Sequence, residues 1–138
     1  MAIARTVAAS FLILAGCQHF DRARECRALA DGVNPELKLL AINYTEHGPV
    51  SAEELRKASE LYDKAAARLD GVRFKEPEIA GLAYQMKENL QTTARSCDRL
   101  ALKFEQGEPA DPAARSDLES QHQRHISLVQ SIDRACRE

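Results

Sequence analysis

Apolar residues recur along most of the chain at intervals of three and four, the spacing that gathers side chains onto one stripe of an α-helix. Four segments carry such a stripe. The first runs through Cys26, Ala30, Val33, Leu37, Leu40, Tyr44 and His47, and the second through Leu55, Ala58, Tyr62, Ala65, Leu69 and Val72. The third holds Ile79, Leu82, Met86, Leu90, Thr93, Cys97, Leu100 and Phe104, and the fourth Leu118, His122, His125, Val129, Ile132 and Cys136. No window alternates with a period of two for long enough to suggest a sheet. The pattern predicts an all-α chain whose helices bury one seam each.

The residues between the stripes agree. Gly48-Pro49-Val50 ends the first segment, and Ser51 with Glu54 forms a capping-box signature for the second. Gly71 closes the second, and Glu76-Pro77 opens the third with proline in its first turn. Gly107 stops the third, and Asp111-Pro112 begins the fourth with a good N-cap residue and the same proline. Connections this short make sequential helices antiparallel neighbours, so the expected architecture is an antiparallel up-down four-helix bundle. Gly32-Val33-Asn34-Pro35 interrupts the first segment, and Asn-Pro is normally a boundary. The apolar phase nonetheless continues from Cys26 to Tyr44 without a slip, which favours one kinked first helix over two short ones.

The first residues follow a different logic. Met1 to Arg5 supplies one early cation, an apolar run extends from Thr6 to Leu14, and Leu14-Ala15-Gly16-Cys17 follows. An apolar run of about nine residues is secretory-leader length, far short of the roughly 20 needed to span a bilayer. Leu14-Ala15-Gly16-Cys17 resembles the lipobox of bacterial lipoproteins, the signal-peptidase-II type, at all four positions. The resemblance implies that residues 1–16 are a lipoprotein signal peptide, that Cys17 is the lipidation site, and that residues 17–138 are a lipid-anchored four-helix bundle. Several acyl chains hold a protein on a membrane where a single chain does not. The resemblance further implies a cell-envelope location. Gln18, in place of the aspartate associated with inner-membrane retention, favours the outer membrane, with the bundle facing the periplasm or the cell surface. The helical segments carry no family signature.

Composition narrows function mainly by exclusion. The chain has 138 residues, 44% of them hydrophobic and 29% charged, ordinary for a globular domain. A net charge of −2 speaks against nucleic acid as a partner, which demands a basic surplus. With no Trp and only seven Phe and Tyr, an aromatic platform for sugars or bases is not expected. Asn43-Tyr44-Thr45 matches a glycosylation acceptor and is taken as chance.

Four cysteines leave three once Cys17 carries lipid. An oxidising compartment permits a disulfide, and geometry selects the pair. In an up-down bundle the start of the first helix and the end of the fourth share one end. Cys97 stands about 20 residues along the third helix, roughly 30 Å from that end at 1.5 Å per residue. Bridged Cα atoms approach within about 7 Å, so Cys26 and Cys136 are the expected disulfide. Closing a loop of about 110 residues stabilises a fold by about 4–5 kcal/mol on a chain-entropy estimate.

Cys97 is the odd thiol, on the apolar stripe, where cysteine is usually inert. Folding the chain about the third connection brings Cys97 near Gln121 and His122, with His125 a turn away and Glu119 adjacent. Cys97, His122, His125 and Glu119 are thus the candidate metal ligands, and Glu119-x-x-His122 resembles half of the Glu-x-x-His pattern of di-iron bundles. No second Glu-x-x-His exists, and zinc wants three or four ligands, so no metal and no cofactor is expected and His122 and His125 are read as seam or half-exposed residues. Catalysis is not expected either: there is no Gly-x-Ser-x-Gly, no phosphate loop and no Cys-x-x-Cys-His. Glu53-Glu54 and Glu76/Glu78 sit at helix starts, where the helix dipole accounts for them.

With almost no tether between Cys17 and the first helix, the bundle should stand close to the bilayer. The membrane-side end gathers Arg22, Arg24, Arg27, Arg73, Lys75, Arg134 and Arg137 with Phe74, diluted by Asp21, Glu25, Asp133 and Glu138. These cations are expected as solvated charges or as contacts to lipid phosphates. The opposite end carries Glu46, Glu53, Glu54, Glu105, Glu108 and Asp111 with few balancing cations. The functional expectation is a small envelope lipoprotein acting as a structural or protein-interaction module, held to the lipid bilayer through acylated Cys17 and meeting an envelope protein partner. The alternative is a ligand- or metal-binding sensor bundle using a core site near Cys97 and His122.

Overall fold

The structure, a computed structural model, describes residues 20–34 and 51–138. The described residues are all-α: α1 over residues 20–34, α2 over Ala52–Asp70, α3 over Pro77–Glu105 and α4 over Pro112–Arg137, with no strand among them. The lipobox, Cys17, Gln18, Pro35, the stripe from Leu37 to His47, Asn43-Tyr44-Thr45 and Gly48-Pro49-Val50 lie outside the described residues. The expected kink at Asn34-Pro35 lies there too. Gly32, Val33 and Asn34 are helical.

The helix ends form where local chemistry satisfies their backbone. Ser51 takes extended angles at the α2 N-cap, and its hydroxyl accepts from the Glu54 N–H at 3.2 Å. Asp111 caps α4 by accepting from the Ala114 N–H at 2.9 Å, with Pro112 in the first turn. Past α3, Gly107 adopts φ +77°, which a residue without Cβ reaches freely. The chain there turns back so that the Glu108 N–H reaches the Lys103 carbonyl at 2.8 Å. The start of α3 is different: Glu76 makes no side-chain cap of its own.

α2 packs on α3 and α3 on α4, and α1 joins through its buried face, an arrangement compatible with a bundle. One apolar cluster unites Leu29 and Val33 of α1 with Ala65, Ala66 and Leu69 of α2, Ile79, Ala83, Met86 and Leu90 of α3, and Leu128 and Ala135 of α4. A second holds Leu55, Ala58, Cys97, Leu100, Ala101 and Ala114, and Tyr62 packs against both. Each large side chain buried in this way contributes roughly 1.5–3 kcal/mol. Gly32 allows α1 to sit close to α2, since a Cβ there would lie 3.1 Å from Leu69 Cδ2.

Two seams differ from the sequence pattern. In α1, Leu29 is buried and Ala30 exposed, with Glu25 buried one turn earlier. In α4 the inward positions are Ala114, Leu118, Gln121, His125, Leu128, Ile132 and Ala135, a regular alternation of four and three. Expected seam residues His122 and Val129 face outward, Val129 at 46% exposure. Apolarity misleads here because the inward row includes a glutamine and two alanines, which a search for bulky apolar residues passes over.

Candidate functional site

Two polar constellations cross the helix interfaces. The first fastens the start of α1. Cys26 and Cys136 form a disulfide with Cα atoms 5.9 Å apart, joining α1 to the end of α4 across 110 positions of sequence. One turn before Cys26, the Arg22 side chain is only 20% exposed. Its guanidinium donates to Glu76 Oε2 at 2.8 Å, to Glu78 Oε2 at 2.5 Å and, through Nε, to the Ala135 carbonyl at 2.9 Å. Arg22 therefore ties α1 to the start of α3 and the end of α4 at once. Three donors in fixed array suit guanidinium and no other cation.

Between Arg22 and Cys26 stands Glu25, 5% exposed. Its carboxylate accepts from the Lys75 N–H at 2.6 Å and from the Glu76 N–H at 2.9 Å. These donors lead into α3, whose first turn has Pro77 and no local cap. A residue 50 positions away thus supplies the negative charge that a helix N-terminus favours.

The second constellation lies between α3 and α4. Asn89 is fully buried, and its Nδ2 donates to the Gln121 carbonyl at 3.1 Å and to Gln121 Oε1 at 3.2 Å. Its Oδ1 lies 3.3 Å from His125 Nδ1. With Oδ1 an acceptor only, Nδ1 carries the proton in this contact. The Thr93 hydroxyl donates to the Asn89 carbonyl at 2.7 Å. Burial, and after it the nearby His122, pushes the His125 imidazole below its ordinary pKa, so the neutral ring is favoured.

The four candidate metal ligands are not brought together. Cys97 is buried in the apolar cluster with Leu55, Ala58 and Leu100, and His125 is turned to Asn89. His122 is exposed, and Glu119 is exposed and accepts from Gln123 Nε2 at 2.9 Å. No trio of His, Cys, Asp or Glu able to hold a metal exists among the described residues. The folded-back register is what separates them: α4 presents Gln121 and His125 to α3, where sequence reasoning aligned His122 with Cys97. Beside that thiol, Tyr62 has its phenol pKa raised by burial and secondarily by Cys97.

Both charged ends also differ from expectation. Arg22 turns inward, Arg24 pairs with Asp21 at 2.8 Å, and Arg137 with Asp133 at 2.9 Å. At the other end the acids have cations after all: Arg56 meets Glu105 at 2.9 Å, Lys57 meets Glu53 at 3.0 Å, and Lys103 meets Glu108 at 3.1 Å. Arg99 of α3 pairs with Asp117 of α4. No helix among the described residues is long and apolar enough to cross a membrane.

Sequence reasoning missed Arg22, Glu25, Asn89 and Gln121 as a working set. A signal for Glu25 was present: Glu76-Pro77 lacks a Ser, Thr, Asp or Asn cap, which leaves the Glu76 N–H at the helix start open to an acceptor from elsewhere. No family model matches the chain, and no curated protein or solved structure matches it.

Proposed function

We propose that this chain is a small envelope lipoprotein, acylated at Cys17, whose antiparallel up-down bundle with a kinked first helix serves as a structural or protein-interaction module. The observation that carries the reading is the order of two features in the first residues. A four-position lipobox ends at Cys17, and α1 is already helical at residue 20. The acyl group is therefore attached almost directly to a folded body, with no long tether. A disulfide between Cys26 and Cys136 fits a compartment outside the cytosol. Gln18 favours the outer membrane. Both polar constellations are satisfied within the protein, which suits a rigid module better than a ligand pocket.

Metabolic labelling with a palmitate analogue tests the reading. Label should enter the protein and vanish with Cys17→Ala, and the intact mass of the extracted protein should show cleavage before Cys17. A chain recovered unlabelled in the aqueous fraction would remove the proposal. Crosslinking in intact cells, followed by purification, then identifies whether a stoichiometric envelope protein accompanies it.

A further inference from the structure

The end of the molecule where α1 begins sorts its charges unevenly. Five of its carboxylates are occupied: Glu25 by the Lys75 and Glu76 N–H groups, Glu76 and Glu78 by Arg22, Asp21 by Arg24, and Asp133 by Arg137, while Glu138 is exposed and lies near Arg22. Four cations within about two helical turns of that end are exposed and make no hydrogen bond or ion pair through their side chains among the described residues. They are Arg27 of α1, Arg73 and Lys75 of the α2–α3 connection, and Arg134 of α4. The connection is built to present two of them. Val72 and Phe74 are half-buried, Phe74 against the apolar cluster, while the alternate residues Arg73 and Lys75 are exposed. This alternation of seated and exposed side chains turns both cations outward. Phe20 stands at the same end, two residues before Arg22, and is 76% exposed. It is also three residues after Cys17.

We infer that this end is a phospholipid-docking face, on which Phe20 enters the interfacial layer of a bilayer and Arg27, Arg73, Lys75 and Arg134 meet headgroup phosphates. The inference rests on the anchored reading, because an acyl group at Cys17 delivers this end, and no other, to the membrane. The occupant is a bilayer because the surplus hydrogen-bond donors are cationic, dispersed over three elements, and accompanied by an exposed aromatic side chain. Phosphate oxygens and an apolar boundary meet both demands on one surface. Three residues of extended chain span at most about 10 Å, so an acylated Cys17 leaves the face no room to stand clear of the headgroups.

The test uses the full chain with phosphatidylcholine vesicles, with and without phosphatidylglycerol. Phe20→Trp supplies the reporter, since the protein has no Trp. On membranes its emission should shift to the blue and be quenched by brominated lipid, with the stronger effect on phosphatidylglycerol. Binding by the cations is read separately, on chains carrying Cys17→Ala. There, changing Arg27, Arg73, Lys75 and Arg134 to Gln should weaken binding to phosphatidylglycerol vesicles at least tenfold, given roughly fivefold per cation near an anionic surface. The four changes should leave thermal stability and binding to phosphatidylcholine alone unaltered. A Trp that stays solvent-like on both vesicles, or equal binding by the two Cys17→Ala chains, overturns the docking face. So does tighter binding to polyglutamate than to vesicles, which would mark the face as one for acidic protein. Acylation itself is read by intact mass, so its absence overturns the anchored reading and leaves the vesicle comparison to decide this one.

Discussion

Removing the Glu25 carboxylate should destabilise the fold more than removing any exposed charge at the same end. Its two acceptor contacts, 2.6 Å to the Lys75 N–H and 2.9 Å to the Glu76 N–H, are charge-assisted. Hydrogen bonds of this type are worth about 1.5–3 kcal/mol each. Lys75 is exposed and Glu76 half-buried, so water recovers part of the loss. Glu25→Ala should therefore cost about 2–4 kcal/mol. Glu25→Gln keeps one acceptor but turns an amide N–H₂ toward the second donor and forfeits the charge at the helix start, for a loss of about 1.5–3 kcal/mol. With a urea m-value of about 2 kcal/mol/M, the middle of the range for small proteins, the Ala variant should unfold about 1–2 M earlier.

The comparator is Glu78→Gln, whose side chain is 54% exposed and whose ion pair with Arg22 is expected to be worth less than about 1 kcal/mol. Amide exchange gives a local readout: the Lys75 and Glu76 N–H groups should lose protection in Glu25→Ala and keep it in Glu78→Gln. Equal stability of the Glu25 and Glu78 variants, or unchanged exchange at Lys75 and Glu76, would refute the claim that Glu25 fastens the segment leading into α3.

Three further outcomes are expected. Intact mass with alkylation should label Cys97 alone after unfolding without reductant, and Cys26→Ser with Cys136→Ser should lower stability by about 4–5 kcal/mol, read from urea midpoints. Asn89→Ala should cost about 2–4 kcal/mol by leaving a cavity and stranding Gln121 and His125, whereas His122→Ala on the exposed side should stay within about 0.5 kcal/mol. Stability should also decline as pH falls below about 6.5, the ordinary histidine value, because His125 has a folded pKa below its unfolded one. Between those two values the unfolded chain binds more protons, so the stabilising contribution is complete above the unfolded pKa and lost as pH falls through the folded one. His125→Gln should flatten that segment of a stability-against-pH curve.

The helical class was legible because it depends on periodicity, and the stripe in α2 from Leu55 to Leu69 is buried largely as spaced. The Cys26–Cys136 pairing was legible for a similar reason: helix lengths alone place Cys97 too far from either partner. What escaped was the side-by-side register and the polar residues within it. Helix α4 shows why. Its inward row passes through Gln121, and its outward row contains Ile126 and Val129, so apolar content points to a face rotated by about one residue. Only the partner helix decides the matter, through Asn89, which needs acceptors and a donor at one depth and finds them in Gln121 and His125. A buried amide of this kind fixes register, because sliding α4 by a turn would leave it unpaired. Likewise, no local rule assigns Glu25 to a helix start 50 residues downstream; its alternative, an exposed charge on α1, is equally consistent with spacing.

The fastening of α1 bears directly on how an anchored protein would stand. Among the described residues α1 contributes just Leu29 and Val33 to the buried apolar cluster, little surface with which to hold a helix. The remaining ties are polar or covalent and lie within two turns: Arg22, Glu25 and Cys26 each reach a different partner on α3, α4 or the connection before α3. A helix held by side-to-side apolar contact alone could slide or peel when pulled from its first residue. One held by a guanidinium across two helices, a carboxylate on a helix start and a disulfide resists displacement along its axis as well as away from the core. That is the direction in which a lipid attached at Cys17 would pull, so the three residues together transmit the position of the first residues to the whole bundle. A protein reduced at Cys26–Cys136 and carrying Glu25→Ala should keep α2, α3 and α4 helical by circular dichroism yet expose the 20–34 segment to protease. Protection of that segment in the doubly weakened protein would show that apolar packing suffices and that the clasp is incidental.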